Sequence, residues 1–257
     1  MSDVHPMAEK GFGHAADTYV RGRPDFPPAA LAWLRNALGL GLGKSVIDLG
    51  AGTGKFTRLL VETGATVTAV EPVDAMRSRL ARDLPSVKTL PGRAQEIPAT
   101  NASIDAVVCA QAFHWFALAE SLAEIRRVLK PGGVLGLIWN IRDESIDWVR
   151  KLTDIMTPYE SDGPRYYKGE WRRVSPAPGF GELHEQSFRH VHVGSPEQVI
   201  VDRVASVSFI AALDESTRGQ VLERVRGLIA ATPSLKDSSS VTVPYVTRAY
   251  ACRKTVE

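Results

Sequence analysis

The chain has 257 residues, 44% of them hydrophobic, with 31 Lys and Arg against 29 Asp and Glu and a formal net charge of +2. That length suits one large domain or two small ones and buries a core without disulfides or a structural metal. The charge is even along the chain, with 15 basic and 13 acidic residues in 1–140 and 16 of each in 141–257, so no basic stripe calls for a nucleic acid.

Residues 1–27 read as a polar arm, and 1–16 lack the apolar core of a signal peptide. Pro28 suits the first turn of a helix in which Leu31, Leu34 and Leu38 share one face and Gly39 marks the stop. Short apolar runs then alternate with helical stretches. Strands are expected at 45–49, 66–70, 87–90, 104–109 and 134–139, with helices at 53–63, 74–83 and 117–129 between them. Pro131-Gly132-Gly133 is expected to end the last of these. Strands and helices alternating in this way imply βαβ units and a parallel sheet covered on both faces. Beyond Asn140 a helix is expected at 145–157, a strand at 183–193, helices at 197–213 and 215–231, and a last strand at 238–251. Pro244 in that strand favours an edge or a bulge. Two cysteines, Cys109 and Cys252, leave little room for a disulfide framework or a cysteine-built zinc site and read as buried small hydrophobes. No run of about 18 apolar residues marks a membrane span. The expectation is a soluble, reduced, cytoplasmic protein with no membrane, nucleic-acid or metal partner.

The strongest signal is Val46-Ile47-Asp48-Leu49-Gly50-Ala51-Gly52-Thr53-Gly54-Lys55, a strand running through a glycine turn into a helix. Glycines let the backbone turn sharply and let a ligand touch the main chain. The helix beyond adds unpaired N–H groups and a partial positive charge. The combination makes a nucleotide-like site at the carboxyl end of a parallel strand. The dinucleotide fingerprint is G-x-G-x-x-G. Here the spacing is G-x-G-x-G, which speaks against a nicotinamide cofactor. Glu71 closes the second strand 21 residues after Gly50, where an acid accepts from a ribose diol.

This stretch resembles the first motif of class I S-adenosylmethionine-dependent methyltransferases, and Glu71-Pro72 resembles their second. Further pieces follow in order: 92–98, Ser103-Ile104-Asp105-Ala106-Val107 and 127–133. Phe12, Ala16, Tyr19, Arg23 and Pro24 at the front, 110–116, and Pro244-Tyr245-Val246-Thr247 near the end extend the likeness to the methyltransferase type 11 group, near the trans-aconitate methyltransferases. The resemblance implies a single domain over 1–257 with a Rossmann-like seven-stranded, mostly parallel sheet and an antiparallel last strand. It also implies an arm (1–27) over the cofactor, with a lid at 141–180. It implies a methyltransferase (EC 2.1.1.-) whose cofactor is S-adenosyl-L-methionine. The cofactor residues it points to are Tyr19, Arg23, Asp48, Gly50, Ala51, Gly52, Thr53, Gly54, Glu71, Pro72, Met76, Arg93, Ala94, Ala110 and Gln111. Glu71 would take the ribose hydroxyls, Pro72 the adenine face, the Ala94 backbone the adenine edge, and Arg23 the cofactor carboxylate. Arg93 departs from the Asp that many relatives carry.

Methyl transfer from a sulfonium is an in-line displacement that needs a held acceptor and excluded water. His114, just past the fourth strand, and its neighbour Trp115 are the expected catalytic pair, with His114 as base or substrate donor. Ten of 19 aromatics fall in 113–180, among them Trp139, Trp148, Tyr159, Tyr166, Tyr167 and Trp171, a composition that suits a substrate-facing lid. Arg165, Arg172 and Arg173 in the same stretch suit an acidic substrate. The expected reaction is methylation of a small molecule on a carboxylate or hydroxyl oxygen. The rivals are a macromolecule methyltransferase on the same fold and a non-catalytic cofactor-binding protein. Against the former, Ala110-Gln111-Ala112-Phe113 stands in place of the Asn/Asp-Pro-Pro-Tyr run typical of amide and base N-methylation.

Overall fold

The computed structural model describes residues 22–160, 162–175 and 177–255. Seven strands, β1 (Ser45–Leu49), β2 (Thr66–Val70), β3 (Lys88–Leu90), β4 (Ile104–Ala110), β5 (Leu129–Arg142), β6 (His184–Gly194) and β7 (Val241–Arg253), form one sheet in the order β3-β2-β1-β4-β5-β7-β6. β1 pairs in parallel with β2 and β4, β2 with β3, and β4 with β5. The Asp143 N–H donates to the Pro244 carbonyl, and the Lys254 N–H to that of Gly133. Residue numbers thus fall along β7 as they rise along β5, and β7 is antiparallel. β1 has β2 on one side and β4 on the other, so strand order reverses at its carboxyl end. That is where ligands bind in open α/β sheets.

Side chains alternate across these strands as their period of two requires. Val46, Ala106, Val108 and Val134 join one apolar cluster with Trp33 and Leu34 of α1 (Pro28–Asn36), Phe56 and Leu60 of α2 (Lys55–Glu62) and Leu80 of α3 (Asp74–Asp83). The intervening Ile47, Val107, Cys109, Leu135 and Leu137 are buried too, as are Leu122 and Ile125 of α4 (Ala119–Val128). Burial on both faces is the reason these strands are continuous apolar runs.

Contacts divide the chain into two compact units. The first holds Phe26–Trp139, Pro164–Phe188 and 247–255, and contains the cluster just described. The second holds 22–25, Asn140–Gly163 and Arg189–Val246. Its own core joins Leu152 and Met156 of α5 (Asp147–Met156) to Val199, Ile200, Val201, Val204 and Ile210, to Val221 and Val225 of α6 (Glu215–Ala231), and to Val241, Val243 and Tyr245. The segment 141–180 is shared between the two units. Both cysteines are buried. Among the described residues, no helix is long and apolar enough to cross a membrane, and no three His, Cys, Asp or Glu residues group as a metal site.

Three local expectations differ from the structure. Pro131-Gly132-Gly133 does not follow the helix as a plain turn but lies inside β5, where Ile104 faces Leu129 and Ala106 faces Val134, a bulge of the longer strand. The expected helix over 197–213 is broken into a π turn at Glu197–Val201 and short helices at Asp202–Ala205 and Ser208–Ala211. Val199, Ile200 and Val201 are consecutive, β-branched and all buried, which a single amphipathic stripe does not accommodate. Pro244 sits in β7 between two neighbours rather than at an edge. It faces Asp143, just past the end of β5, so its missing N–H costs no ladder bond.

Candidate active site

The glycine turn leaves the end of β1 inside the first unit. Gly50, Gly52 and Gly54 have φ of 73, 57 and 86°, all left-handed. At Gly50 a Cβ would stand 2.8 Å from the Ala112 Cβ, whereas at Gly52 it would meet only the Met76 Sδ, at 3.8 Å. Gly50 is therefore demanded by packing, and Gly52 keeps an open stretch of backbone. The Gly50 and Ala51 N–H groups donate to the Val70 carbonyl at 2.9 and 3.2 Å, folding the turn across the end of β2.

Two buried carboxylates frame the turn. Glu71 accepts from the Gly52 N–H at Oε2 and from the Val73 N–H at Oε1, both at 2.9 Å. Burial raises its pKa, while those two bonds and the Arg77 guanidinium pull it down. The Arg77 guanidinium also donates to the Glu71 carbonyl at 2.9 Å and fixes the strand end. Asp48 is fully buried. Its Oδ2 accepts from the Thr57 hydroxyl at 2.6 Å, tying β1 to α2, while Oδ1 has no partner. Burial pushes its pKa up to about 7, against the Thr57 bond and with help from the Glu71 charge. The Thr53 hydroxyl is likewise buried without a partner.

The other predicted residues are distributed as follows. Pro72 follows Glu71 and is half-buried, and Met76 is buried under Gly52. Ala94 is buried, and Arg93 lies 3.6 Å from the Glu96 carboxylate. Ala110 ends β4. Gln111 adopts φ 59°, a rare conformation for a residue with a side chain, while its N–H donates to the Ile138 carbonyl at 2.8 Å. Arg23 lies in the second unit, where its guanidinium donates to the Ser206 carbonyl at 3.1 Å. Tyr19 lies outside the described residues. Thr57 and Arg77 were not anticipated. An Asp at the end of a strand nine residues before a Thr in the next helix carried the only signal for Thr57.

His114 and Trp115 occupy a single 3-10 turn, Phe113–Trp115. The Trp139 indole Nε1 lies 3.2 Å from His114 Nδ1. Behind Trp139 stand Trp171 at 4.7 Å and Tyr166 at 5.0 Å between ring centroids, with Tyr250 bonded to the Tyr166 hydroxyl at 2.7 Å. The Arg172 guanidinium donates to the Tyr250 hydroxyl and reaches Glu185, which also takes Arg248. Arg165 is buried, its guanidinium carbon 5.4 Å from the Trp115 ring centroid. The aromatic-rich segment is thus split. Trp139, Tyr166 and Trp171 cluster in the first unit, Trp148 and Tyr159 pack on the core of the second, and Tyr167 is exposed.

A methyltransferase domain of type 11 matches residues 47–137, the stretch from β1 to β5. An uncharacterised methyltransferase of Mycobacterium tuberculosis is 42% identical over 236 residues, 92% of each chain. A fission-yeast (Schizosaccharomyces pombe) methyltransferase-like protein, also uncharacterised, is 33% identical over 237 residues, 92% of each chain. In fold, the chain is similar to a provisionally assigned type II methyltransferase from Anaeromyxobacter dehalogenans, with a TM-score of 0.69 at 22% identity over 91% of this chain and 99% of that one.

Proposed function

Because the chain belongs to the class I S-adenosylmethionine-dependent methyltransferases with a type 11 domain, we propose that it methylates a small molecule on a carboxylate oxygen. The observation that carries this is the hydrogen bond between Trp139 and His114. An indole N–H only donates, so His114 Nδ1 accepts and the neutral ring carries its proton on Nε2. In that tautomer His114 is a donor and not a base. A hydroxyl acceptor gains from a base. A carboxylate is ionised at neutral pH and needs none, but it does need donors and positive charge when it leaves water. Nε2–H of His114 and the buried guanidinium of Arg165 beside Trp115 offer both. This acceptor class is also the one that the resemblance to trans-aconitate methyltransferases implies.

The glycine turn fits the cofactor. Gly52 offers backbone with open space above it, and Asp48 Oδ1 and Thr53 Oγ1 are buried polar atoms still lacking partners. The Glu71 oxygens each retain a lone pair beyond the one given to a backbone N–H. We assign the ribose to Glu71, the adenine to Pro72 and Ala94, the amino-acid end to the turn over Asp48, and the sulfonium end to Ala110 and Gln111. When bound, S-adenosylmethionine supplies an electrophilic methyl group, and the protein's part is to hold the acceptor and exclude water.

A labelled-methyl assay over small carboxylic acids, phenols and amines tests the reading. Ester products are expected, with a rate flat from pH 6 to 9. Transfer confined to phenols or amines, with a rate rising through a histidine-like pKa that Trp139→Phe displaces, would make His114 a base and overturn the proposal.

A further inference from the structure

A cavity of about 900 Å³ lies in the first unit along α4, against Pro131, Arg173, Val174, Ala177, Pro178 and the chain at 254–255. Among the described residues, four cations line it, Arg126, Arg127, Arg173 and Lys254, and no carboxylate does. Its remaining walls are mostly apolar, with Leu122, Pro131 and Val174 prominent. We propose that this cavity binds an amphipathic organic anion, a phosphate or carboxylate head on an apolar chain, independently of the methyl-transfer site.

The four charges differ in what they have left to offer. Arg127 is paired with Glu124 at 2.7 Å and is largely neutralised. Lys254 donates at 2.7 Å to the Arg126 and Leu129 carbonyls, where its charge offsets the carboxyl end of α4. Arg126 lies flat against Gly179, where a Cβ would come within 2.0 Å of its Nε. A side chain at 179 would displace that guanidinium from its present place at the cavity wall. Arg173 is exposed at the rim, with no carboxylate in reach among the described residues. The wall itself is pinned by backbone bonds, from the Lys254 N–H to the Gly133 carbonyl and from the Thr255 N–H to that of Gly179. A preformed cavity with apolar walls and convergent cations selects for both halves of an amphipathic anion.

The cavity is separate from the glycine turn. None of its lining residues belongs to the glycine turn, to Glu71 or to the Phe113–Trp115 turn. A smaller apolar void of about 20 Å³ shares Leu122, Val174 and Ala177 with it and reaches Phe113 and Trp171. That volume admits about one water.

Calorimetric titration of the full chain with octyl phosphate and octanoate, below their micelle concentrations, tests the proposal against inorganic phosphate and octanol. Saturable binding of either amphiphile, at least tenfold tighter than both controls, is expected. Arg173→Glu should weaken it at least tenfold, and Ala123→Phe, which fills the cavity from an exposed position on α4, should abolish it. Both variants should bind S-adenosylhomocysteine as the parent does, which shows that they fold. Failure of both amphiphiles to bind, octanol or inorganic phosphate binding as tightly as they do, or unchanged affinity in either folded variant would overturn the proposal.

Discussion

Asp48 should make the protein less stable as pH rises, and Asp48→Asn should remove that dependence. The carboxyl is fully buried, with one oxygen bonded to Thr57 and the other without a partner. Its pKa rises from 3.8 to about 7 on folding. A carboxyl whose pKa is raised in the folded state binds a proton there that the unfolded chain has released. Stability therefore falls as pH rises from about 4 through about 7 and is level above. Each unit is worth about 1.4 kcal/mol. Between pH 5 and 8 the wild type should lose about 3 kcal/mol through this group. Asn keeps an acceptor for Thr57 and does not titrate, though its amide NH2 inherits the unpaired position at a pH-independent cost of about 1–3 kcal/mol. Glu71, whose pKa is also raised, contributes a slope of the same sign in both proteins and largely cancels in their difference. Urea unfolding of the two proteins at half-unit steps from pH 5 to 8 measures that difference. If the gap between wild type and Asp48→Asn stays constant across the range, Asp48 is ionised throughout and the burial argument is wrong.

Glu71→Ala should weaken S-adenosylhomocysteine binding by about 1–3 kcal/mol, the value of hydrogen bonds to a charged group, read by calorimetry; equal affinity would reject the ribose assignment. Gly52→Val should cost about 1–2 kcal/mol for left-handed backbone yet leave a folded chain, since only Met76 stands near the new Cβ, with no measurable cofactor binding, and circular dichroism together with the same titration checks both halves. Gly50→Ala should cost about 1–2 kcal/mol for left-handed backbone and a further ~1–3 kcal/mol for the Ala112 contact. Ala112→Gly should recover only the second part, so a double-mutant cycle in urea that shows strict additivity would refute the contact.

The sheet was legible because burial on both faces writes itself into composition. β1, β2, α3 and α6 lie where the apolar runs and stop residues place them, and the glycine turn announces its backbone in its own residue types. What composition does not carry is pairing. Nothing local separates Pro131-Gly132-Gly133 as a helix stop from the same residues as a bulge. The difference is that Leu129 finds Ile104 on the neighbouring strand before the glycines are reached. Nor does periodicity distinguish a helix from the π turn at Glu197–Val201, where the second unit's core takes up three apolar residues in a row.

The site shows the same limit at closer range. Asp48 was legible as a strand-end acid. Its chemical state was not, because that depends on the Thr57 bond and on a vacant oxygen, both products of how α2 docks on β1. His114 is the sharper case. From sequence it was a lone histidine past a strand, a base, a substrate donor or a ring packed against Trp115 and Phe116. Trp139, 25 residues away and on the next strand, brings its indole N–H to 3.2 Å from Nδ1, and the proposed donor role rests on that bond. Under the proposed function, the direction of that one hydrogen bond is what separates base-free from base-assisted methyl transfer. The aromatics whose clustering suggested a lid fall into the two units. Trp148 and Tyr159 pack on the second unit's core, while Tyr166 and Trp171 pack on Trp139, whose indole bonds to His114.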